Sequence, residues 1–409
     1  MTAYDVAIIG AGPAGTIAAR DLARAGARVA IVDGSHPREK CCGGGVTGRA
    51  LALAGHVRNG AGGCAVRSAV FEATDGSTTD RSAADGRVWT WMAGGNRARV
   101  EIPSPDALTI FSRAVFDAAL LAQAIAAGAA HVDARARTIE GRAGAWTVRC
   151  GAESLRAVRL LGADGPSGIV RKHVFRGFER AQLSIAAGSF VDGAASDELV
   201  IGFVDNPRGY LWSFPRTDHL AVGTCAQADE STTAALHAVT DRWLQTYTPA
   251  AGKRRRRYAW PIPSLSSRDL DREPPAGSGW LLLGDAAGLV DPITREGIFF
   301  AMRSGQLAAA ALQDSRGESS YAASVRDVLH AELRRAADLK AAFFRPRFTR
   351  LLVHALQHSA AIRAVMIDLI AGRQPYAGLK RRLLGTREIG LMVKLFAARR
   401  DRRAAADLA

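Results

Sequence analysis

The chain alternates short apolar runs with amphipathic stretches, and glycines mark many of the boundaries. Tyr4–Ile9 has the length of a buried strand. It runs straight into Gly10-Ala11-Gly12-Pro13-Ala14-Gly15. Ala14–Ala25 then carries Ala18, Ala19, Leu22 and Ala23 on one side, which is helical spacing. Gly26 ends that helix, and Ala27–Val32 predicts a second strand closed by Asp33. The pattern returns twice. Val158–Gly162 leads into Ala163-Asp164-Gly165-Pro166-Ser167, and Trp280–Leu283 into Gly284-Asp285-Ala286-Ala287-Gly288. After Asp291-Pro292, the segment Arg295-Glu296-Gly297-Ile298 opens an apolar helix ending at Leu312. Arg113–Gly128 predicts a helix bearing Arg113 and Asp117 near its start. Tyr210, Trp212 and Phe214 alternate at period two and Tyr258–Ile262 reads as a strand, while His219 falls in an expected turn. After Gly317 the pattern is helical over Tyr321–Ala341 and Phe348–Ala371. It breaks at Gly372, Pro375 and Gly378 and resumes over Leu379–Ala406.

The first unit is strand, GxGxxG, helix, strand, acid. Gly10 permits the tight turn, Gly12 lets backbone approach a pyrophosphate, and Gly15 allows close helix–strand packing. Free N–H groups at the helix start favour an anion, and Asp33 is spaced to accept ribose hydroxyls. This unit binds a dinucleotide. In the late unit, the strand–Gly284-Asp285–helix order offers a carboxylate for a ribityl hydroxyl and a helix start for an electron-rich ring edge.

The 409 residues suggest two to four domains. With 48% hydrophobic and 23% charged residues, a disordered or collagen-like chain is excluded. The net charge is +15, and only six of the 54 basic residues are lysines. The excess favours acidic partners. Lys253–Arg257 reads as a loop or sheet-edge face, without the interleaved aromatics of a nucleic-acid site, so nucleic-acid recognition is not expected. The five scattered cysteines contain no CxxC pair, so no metal site is expected, and a reducing compartment is. No run reaches 18 apolar residues, so a cytoplasmic protein, at most held on a membrane surface, is expected. The basic and apolar residues of 379–406 suit either a helix packed on the protein with a solvated basic end or contact with anionic lipid.

The amino-terminal GxGxxG, the central Ala163-Asp164-Gly165 and the late Gly284–Gly288, in that order, resemble the FAD-dependent group of aromatic hydroxylases, flavin halogenases and geranylgeranyl reductases. Within it, Cys42-Gly43-Gly44-Gly45 is similar to the Cys-Gly-Gly element of geranylgeranyl reductases. Tyr210–Pro215 followed by Gly223, the stretch Gly284–Gly305 and the tail Gly372–Leu384 with Tyr376 are similar to that branch as well. The resemblance implies an α/β fold: a discontinuous Rossmann-type FAD-binding domain (1–60, 105–175, 275–315), an antiparallel-sheet substrate domain (61–104, 176–274) and a carboxyl-terminal helical region (316–409). The cofactor-binding candidates are Gly10, Gly12, Pro13, Ala14, Gly15, Asp33, Cys42, Gly43, Gly45, Arg113, Asp164, Gly284, Asp285, Gly297 and Ile298.

The implied activity is saturation of prenyl or polyprenyl double bonds by hydride from reduced flavin, with Cys42, Tyr210 and Trp212 as catalytic candidates. Cys42 and Tyr210 are the candidate proton donors or relay. NAD(P)H or a ferredoxin-type protein would supply electrons. The alternatives are a flavin monooxygenase or halogenase, and a non-catalytic isoprenoid-binding flavoprotein. Trp89-Thr90-Trp91 resembles a halogenase element but lacks its Ile-Pro. The aromatic alternation at 210–214 suits a strand face packed on the core as well as a ligand wall, and Cys42 suits a small buried filler as well as a reactive group. Two departures from the resemblance stand out: Arg295 occupies a position where glycine is common, and Cys41 doubles the loop cysteine.

Overall fold

The computed structural model describes residues 2–55, 57, 62–74, 97–104, 107–151, 153–314, 316–386 and 388. Trp89–Trp91 and most of the expected last helix lie outside them; its described part is Leu379–Gly385.

Thr2–Ile9 is the centre of a parallel sheet, with Val29–Val32 on one side and Glu153–Gly162 on the other. Ala130–Val132 and Trp280–Leu282 extend it in parallel at either side. Ala7, Ile8, Ala30 and Ile31 are wholly buried, because both faces of a parallel sheet are covered and its strands read as unbroken apolar runs. Glu153–Gly162 serves two partners in succession. Its first half pairs antiparallel with Ala145–Cys150 and its last three residues pair with Trp280–Leu282. Helix Pro13–Arg24 packs between helices Arg113–Ala126 and Ile298–Leu312. A Cβ at Gly305 would lie 2.5 Å from the Ala14 carbonyl oxygen, so glycine sets how closely two of these helices cross.

A second sheet runs in the order Arg255–Pro263, Leu183–Asp192, His219–Gln227, Arg208–Pro215, Glu198–Asp205, Ser68–Ala73, Arg97–Glu101. It is antiparallel except where Glu198–Asp205 meets Ser68–Ala73. Leu211 faces helix Thr233–Thr246 with Val200, Leu220, Val222 and Trp243, while Tyr210, Trp212 and Phe214 take the opposite face. His219 is not in a turn. It opens a strand, is 4% exposed, and sets its ring edge-on to Phe190. The basic run also enters the sheet: Arg255–Arg257 belong to the outermost strand, where Arg256 pairs with Asp192 and Arg257 with Asp241.

The expected helix over 348–371 is two, Pro346–His358 and Ala360–Ile370. Ser359 divides them: its backbone is extended and its hydroxyl accepts the Ile362 N–H, an N-cap that starts a new helix. Leu352, Val353, Leu356 and Ile362 pack on Phe71, Val100, Leu199 and Phe203 of the second sheet. Among the described residues, no helix is long and apolar enough to cross a membrane.

Arg171 joins the two sheets' surroundings. It is 1% exposed, donates to the Ala286 carbonyl, pairs with Glu273 and lies 3.5 Å over the Phe178 ring. Glu273 also accepts from Gln182, next to the first residue of strand Leu183–Asp192. Removing one partner of such a pair strands a buried charge. Glu273→Ala is therefore expected to cost about 3–5 kcal/mol in urea denaturation. A loss under about 1 kcal/mol would mean that water or rearrangement replaces the carboxylate.

Candidate functional site

The glycine loop shows what each of its glycines is for. Gly10 has φ +106°, and a Cβ there would meet the Ala163 carbonyl oxygen at 2.3 Å. A Cβ at Gly15 would lie 2.0 Å from the Gly10 oxygen. Gly12 differs: the nearest protein atom to its Cβ would be His36 Nε2 at 3.9 Å, so the protein itself does not require glycine. The space belongs to the cleft. Gly12 is also the N-cap of helix Pro13–Arg24 and offers no side-chain cap, which leaves the helix start open to an anion.

The cleft measures about 590 Å³ and is lined by Gly10, Gly12, Pro13, Ala14, Asp33, Arg113, Asp164 and Asp285, among others. Asp33 accepts from Ala11 N–H (3.0 Å), Ser35 N–H (2.8 Å) and the Ser35 hydroxyl (2.7 Å), with His36 Nδ1 at 2.7 Å. Burial opposes its charge, but these partners outweigh burial and hold the carboxyl far below its ordinary range. Asp33 would hold a sugar hydroxyl of the nucleotide if one of these partners, such as the Ser35 hydroxyl, turned away. Asp164 accepts the Val170 N–H through one oxygen, while the other is buried with no partner, and burial pushes the acid up to about 6.

A line of buried charges continues from Asp33. His36 Nε2 lies 3.3 Å from Asp117, which is fully buried and held by Arg113 through both nitrogens at 3.0 and 2.8 Å. Arg113 Nη1 reaches Cys42 Sγ at 3.5 Å. Burial works against the His36 cation, but Asp117 and Asp33 prevail and raise its pKa. Asp117 is lowered, again against burial, by Arg113 and His36. The Cys42 loop is fixed from its other side by Arg216, which donates to the Cys42 carbonyl (2.6 Å) and pairs with Glu39. Glu39 also accepts the Ser112 hydroxyl and the Arg113 N–H. Lys40 pairs with Asp285 at 3.2 Å.

Pro13, Lys40, Arg113, Trp260, Asp285 and Ala301 line this cleft and also a second hollow of about 290 Å³, so the two adjoin. The second hollow is mostly apolar. Leu199, Ile201, Phe203, Tyr210, Trp212, Phe214 and Ile262 form its sheet wall, the Cys42–Gly45 loop and Arg295–Ile298 its mouth. Phe343, Met366, Leu369 and Ile370 close it from the carboxyl-terminal helices. A Cβ at Gly43 would strike the Phe214 ring at 2.3 Å, so the loop lies directly on the aromatic wall. The Tyr210 hydroxyl donates to the Thr294 carbonyl (2.9 Å), and burial raises its pKa far above the ordinary 10. Burial likewise pushes the Cys41 thiol up to about 11. Glu296 accepts the Thr47 hydroxyl and pairs with Arg49, whose guanidinium lies 4.0 Å over Phe299.

Cys42, Gly43, Gly45, Tyr210, Trp212, Gly297 and Ile298 thus come together at the pocket, and Arg113, Pro13 and Asp285 join pocket and cleft. Gly15 and Gly284 line neither. Gly284 donates its N–H to Ser304 and sits against Ala301. Trp212 is buried, its indole N–H has no acceptor, and it serves as wall. Sequence reasoning missed His36, Glu39, Lys40, Arg216, Trp260, Glu296 and the four carboxyl-terminal residues. Glu39 and Lys40, beside the cysteines, and Glu296, between Arg295 and Gly297, carried a positional signal.

These features fit FAD: a pyrophosphate turn with an uncrowded Gly12, an acid at each end of the cleft, a buried unpartnered Asp164 oxygen, and a side-chain-free loop at Gly43–Gly45. Residues 4–90 match the pyridine nucleotide-disulphide oxidoreductase family. Menaquinone reductase of Mycolicibacterium smegmatis is 27% identical over 404 residues, 90% of this chain and 91% of that protein. Digeranylgeranylglycerophospholipid reductase of Methanothrix thermoacetophila is 27% identical over 86% of this chain and 91% of its own. A geranylgeranyl bacteriochlorophyll reductase-like structure from Thermoplasma acidophilum superposes with TM-score 0.73 at 20% identity, over 94% of this chain and all of that one. A flavin-dependent brominase shares the fold at TM-score 0.65 and 19% identity, over 94% of this chain and 99% of that one.

Fold and site together define an FAD-dependent oxidoreductase. Within that class, the chain is similar over most of its length to digeranylgeranylglycerophospholipid reductases and shares the fold of a geranylgeranyl bacteriochlorophyll reductase-like structure.

The pH behaviour of His36 follows from its raised pKa. Its contribution to stability is complete below its ordinary 6.5 and is lost as pH rises through the elevated folded value. The stability difference between wild type and His36→Gln is therefore expected to be largest near pH 6 and to shrink steadily toward pH 9. Thermal melts across that range measure it, and a difference independent of pH would contradict the assignment.

Proposed function

We propose that the protein saturates carbon–carbon double bonds of a long prenyl chain seated in the apolar hollow. The observation that carries this reading is the adjacency of the two hollows: the cleft shares Pro13, Lys40, Arg113, Trp260, Asp285 and Ala301 with a space walled by aromatic and aliphatic side chains. Burying such a chain contributes about 0.8 kcal/mol for each CH₂. The names of the two relatives, a menaquinone reductase and a digeranylgeranylglycerophospholipid reductase, support it.

Reduced FAD, when bound, supplies a hydride to one alkene carbon; the other carbon then requires a proton. An isolated alkene is a poor hydride acceptor, so the protein's share is alignment, exclusion of water and an acid at the correct face. Tyr210 keeps its proton at neutral pH, faces the hollow and is held in place by Thr294. Cys42 is fixed between Arg113 and Arg216 where pocket meets cleft. Trp212 and Phe214 hold the chain against the Gly43 loop. Electrons come from NAD(P)H or a ferredoxin-type protein. The basic and apolar composition of 379–406 favours contact with an anionic lipid surface, where such chains are found.

Dithionite-reduced holoprotein mixed anaerobically with geranylgeranyl diphosphate is expected to reoxidise while the product gains two hydrogens for each turnover. A flavin that waits for oxygen and then forms an oxygen adduct would place the protein with the monooxygenases instead. In the same single-turnover assay, Tyr210→Phe is expected to slow reduction about 100-fold, the usual scale for a lost general acid. Should Tyr210→Phe and Cys42→Ser both leave the rate intact, the proton comes from neither.

A further inference from the structure

We propose that Arg295 and Lys340 form an anion subsite at the edge of the apolar pocket, taking the phosphate or carboxylate head of an amphiphile whose chain fills that pocket. This deepens the prenyl reading and rests on it. Arg295 has φ +60°, and among the described residues it is the one non-glycine with positive φ. A backbone this unfavourable for a side chain persists where surrounding contacts over-determine it. Here the guanidinium donates to the Ser264 hydroxyl oxygen at 2.8 Å and to the Pro292 carbonyl.

Lys340 donates to the same Ser264 oxygen at 2.8 Å and to Gln227. Two cations thus converge on one buried hydroxyl, and among the described residues neither forms a salt bridge with a carboxylate. Asp229, Glu230 and Cys225 act on Lys340 only from a distance. Burial and the Arg295 charge push it down to about 7. Arg295 Nε is buried without an acceptor. Arg295 lines the pocket beside Trp260, Ile262 and Ile293, and the helix carrying Lys340 also supplies Phe343 to the pocket wall. An oxyanion there satisfies both cations and restores the Lys340 proton. A neutral quinone or alcohol head leaves them uncompensated.

The test is calorimetric titration of the FAD-loaded protein with geranylgeranyl diphosphate, geranylgeranoic acid and geranylgeraniol. Both anions are expected to bind more tightly than the alcohol, the diphosphate by about 30-fold, and the better of the two identifies the head. Arg295→Gly, which suits the backbone, and Lys340→Met should each reduce that ratio to about 3-fold. At pH 8, diphosphate binding should take up a proton in wild type and none in Lys340→Met. Equal binding of alcohol and diphosphate by wild type, or a preference that survives Arg295→Gly, overturns the subsite. If no prenyl probe binds, but inorganic diphosphate raises the melting temperature of wild type and not of Arg295→Gly, the subsite stands and the prenyl reading falls. Failure of inorganic diphosphate as well overturns both.

Discussion

The site depends on a buried row of alternating charges: Asp33, His36, Asp117 and Arg113, ending at Cys42. Asp117 is wholly buried and Arg113 nearly so, a placement tolerated only because each ion has an opposite neighbour with formed hydrogen bonds. The row therefore cannot loosen at one point without stranding a charge elsewhere. It ties the acid at the end of the second strand to the start of helix Arg113–Ala126 and to the cysteine loop, three segments distant in sequence. Asp33 at one end of the row and Cys42 at the other are in this way held in a common frame.

The second sheet uses its period of two to do two jobs. Leu211 is buried against the covering helix, while Tyr210, Trp212 and Phe214 present a wall to the hollow. The face bearing Tyr210, Trp212 and Phe214 packs partly into a buried cluster and also borders the hollow, so packing and lining are not exclusive there. The Gly43 loop lies on that wall with no room for a side chain. The aromatic wall and the cysteine loop thus border the same hollow. Phe343, Met366, Leu369 and Ile370 limit water from the far side.

What could be read from the sequence was the part governed by local rules. The turn at Gly10, the helix behind it, Asp33 and the strand before Gly284 follow from spacing and backbone sterics, and they appear within a residue or two of their expected places. The rest depends on tertiary partners. Nothing in the run 348–371 says that Ser359 will cap a second helix instead of riding through one, since serine is compatible with both. His219 is polar and stands after Asp218, a turn-like context, but pairing with Asp192 draws it into the sheet. The apolar residues of the last helices are equally suited to core and pocket; their position over the hollow fixes the role. His36 and Glu39 gain meaning only from Asp117 and Arg216, far away in the chain.

Arg295 shows the same limit from the other side. Its place in a position where glycine is common was visible as a departure, but the reason was not. The backbone there is left-handed, a conformation that costs a side-chain-bearing residue about 1–3 kcal/mol. A glycine would adopt it without that penalty. The guanidinium offsets part of the cost through Ser264 and Pro292, yet it also lowers the pKa of Lys340, which does not help the empty protein. The repulsion between the cations has a remedy, a negative group brought between them, whereas the left-handed backbone is unchanged by it. In the proposed subsite, relief of that repulsion would exchange stability of the unliganded fold for affinity toward an anionic head group.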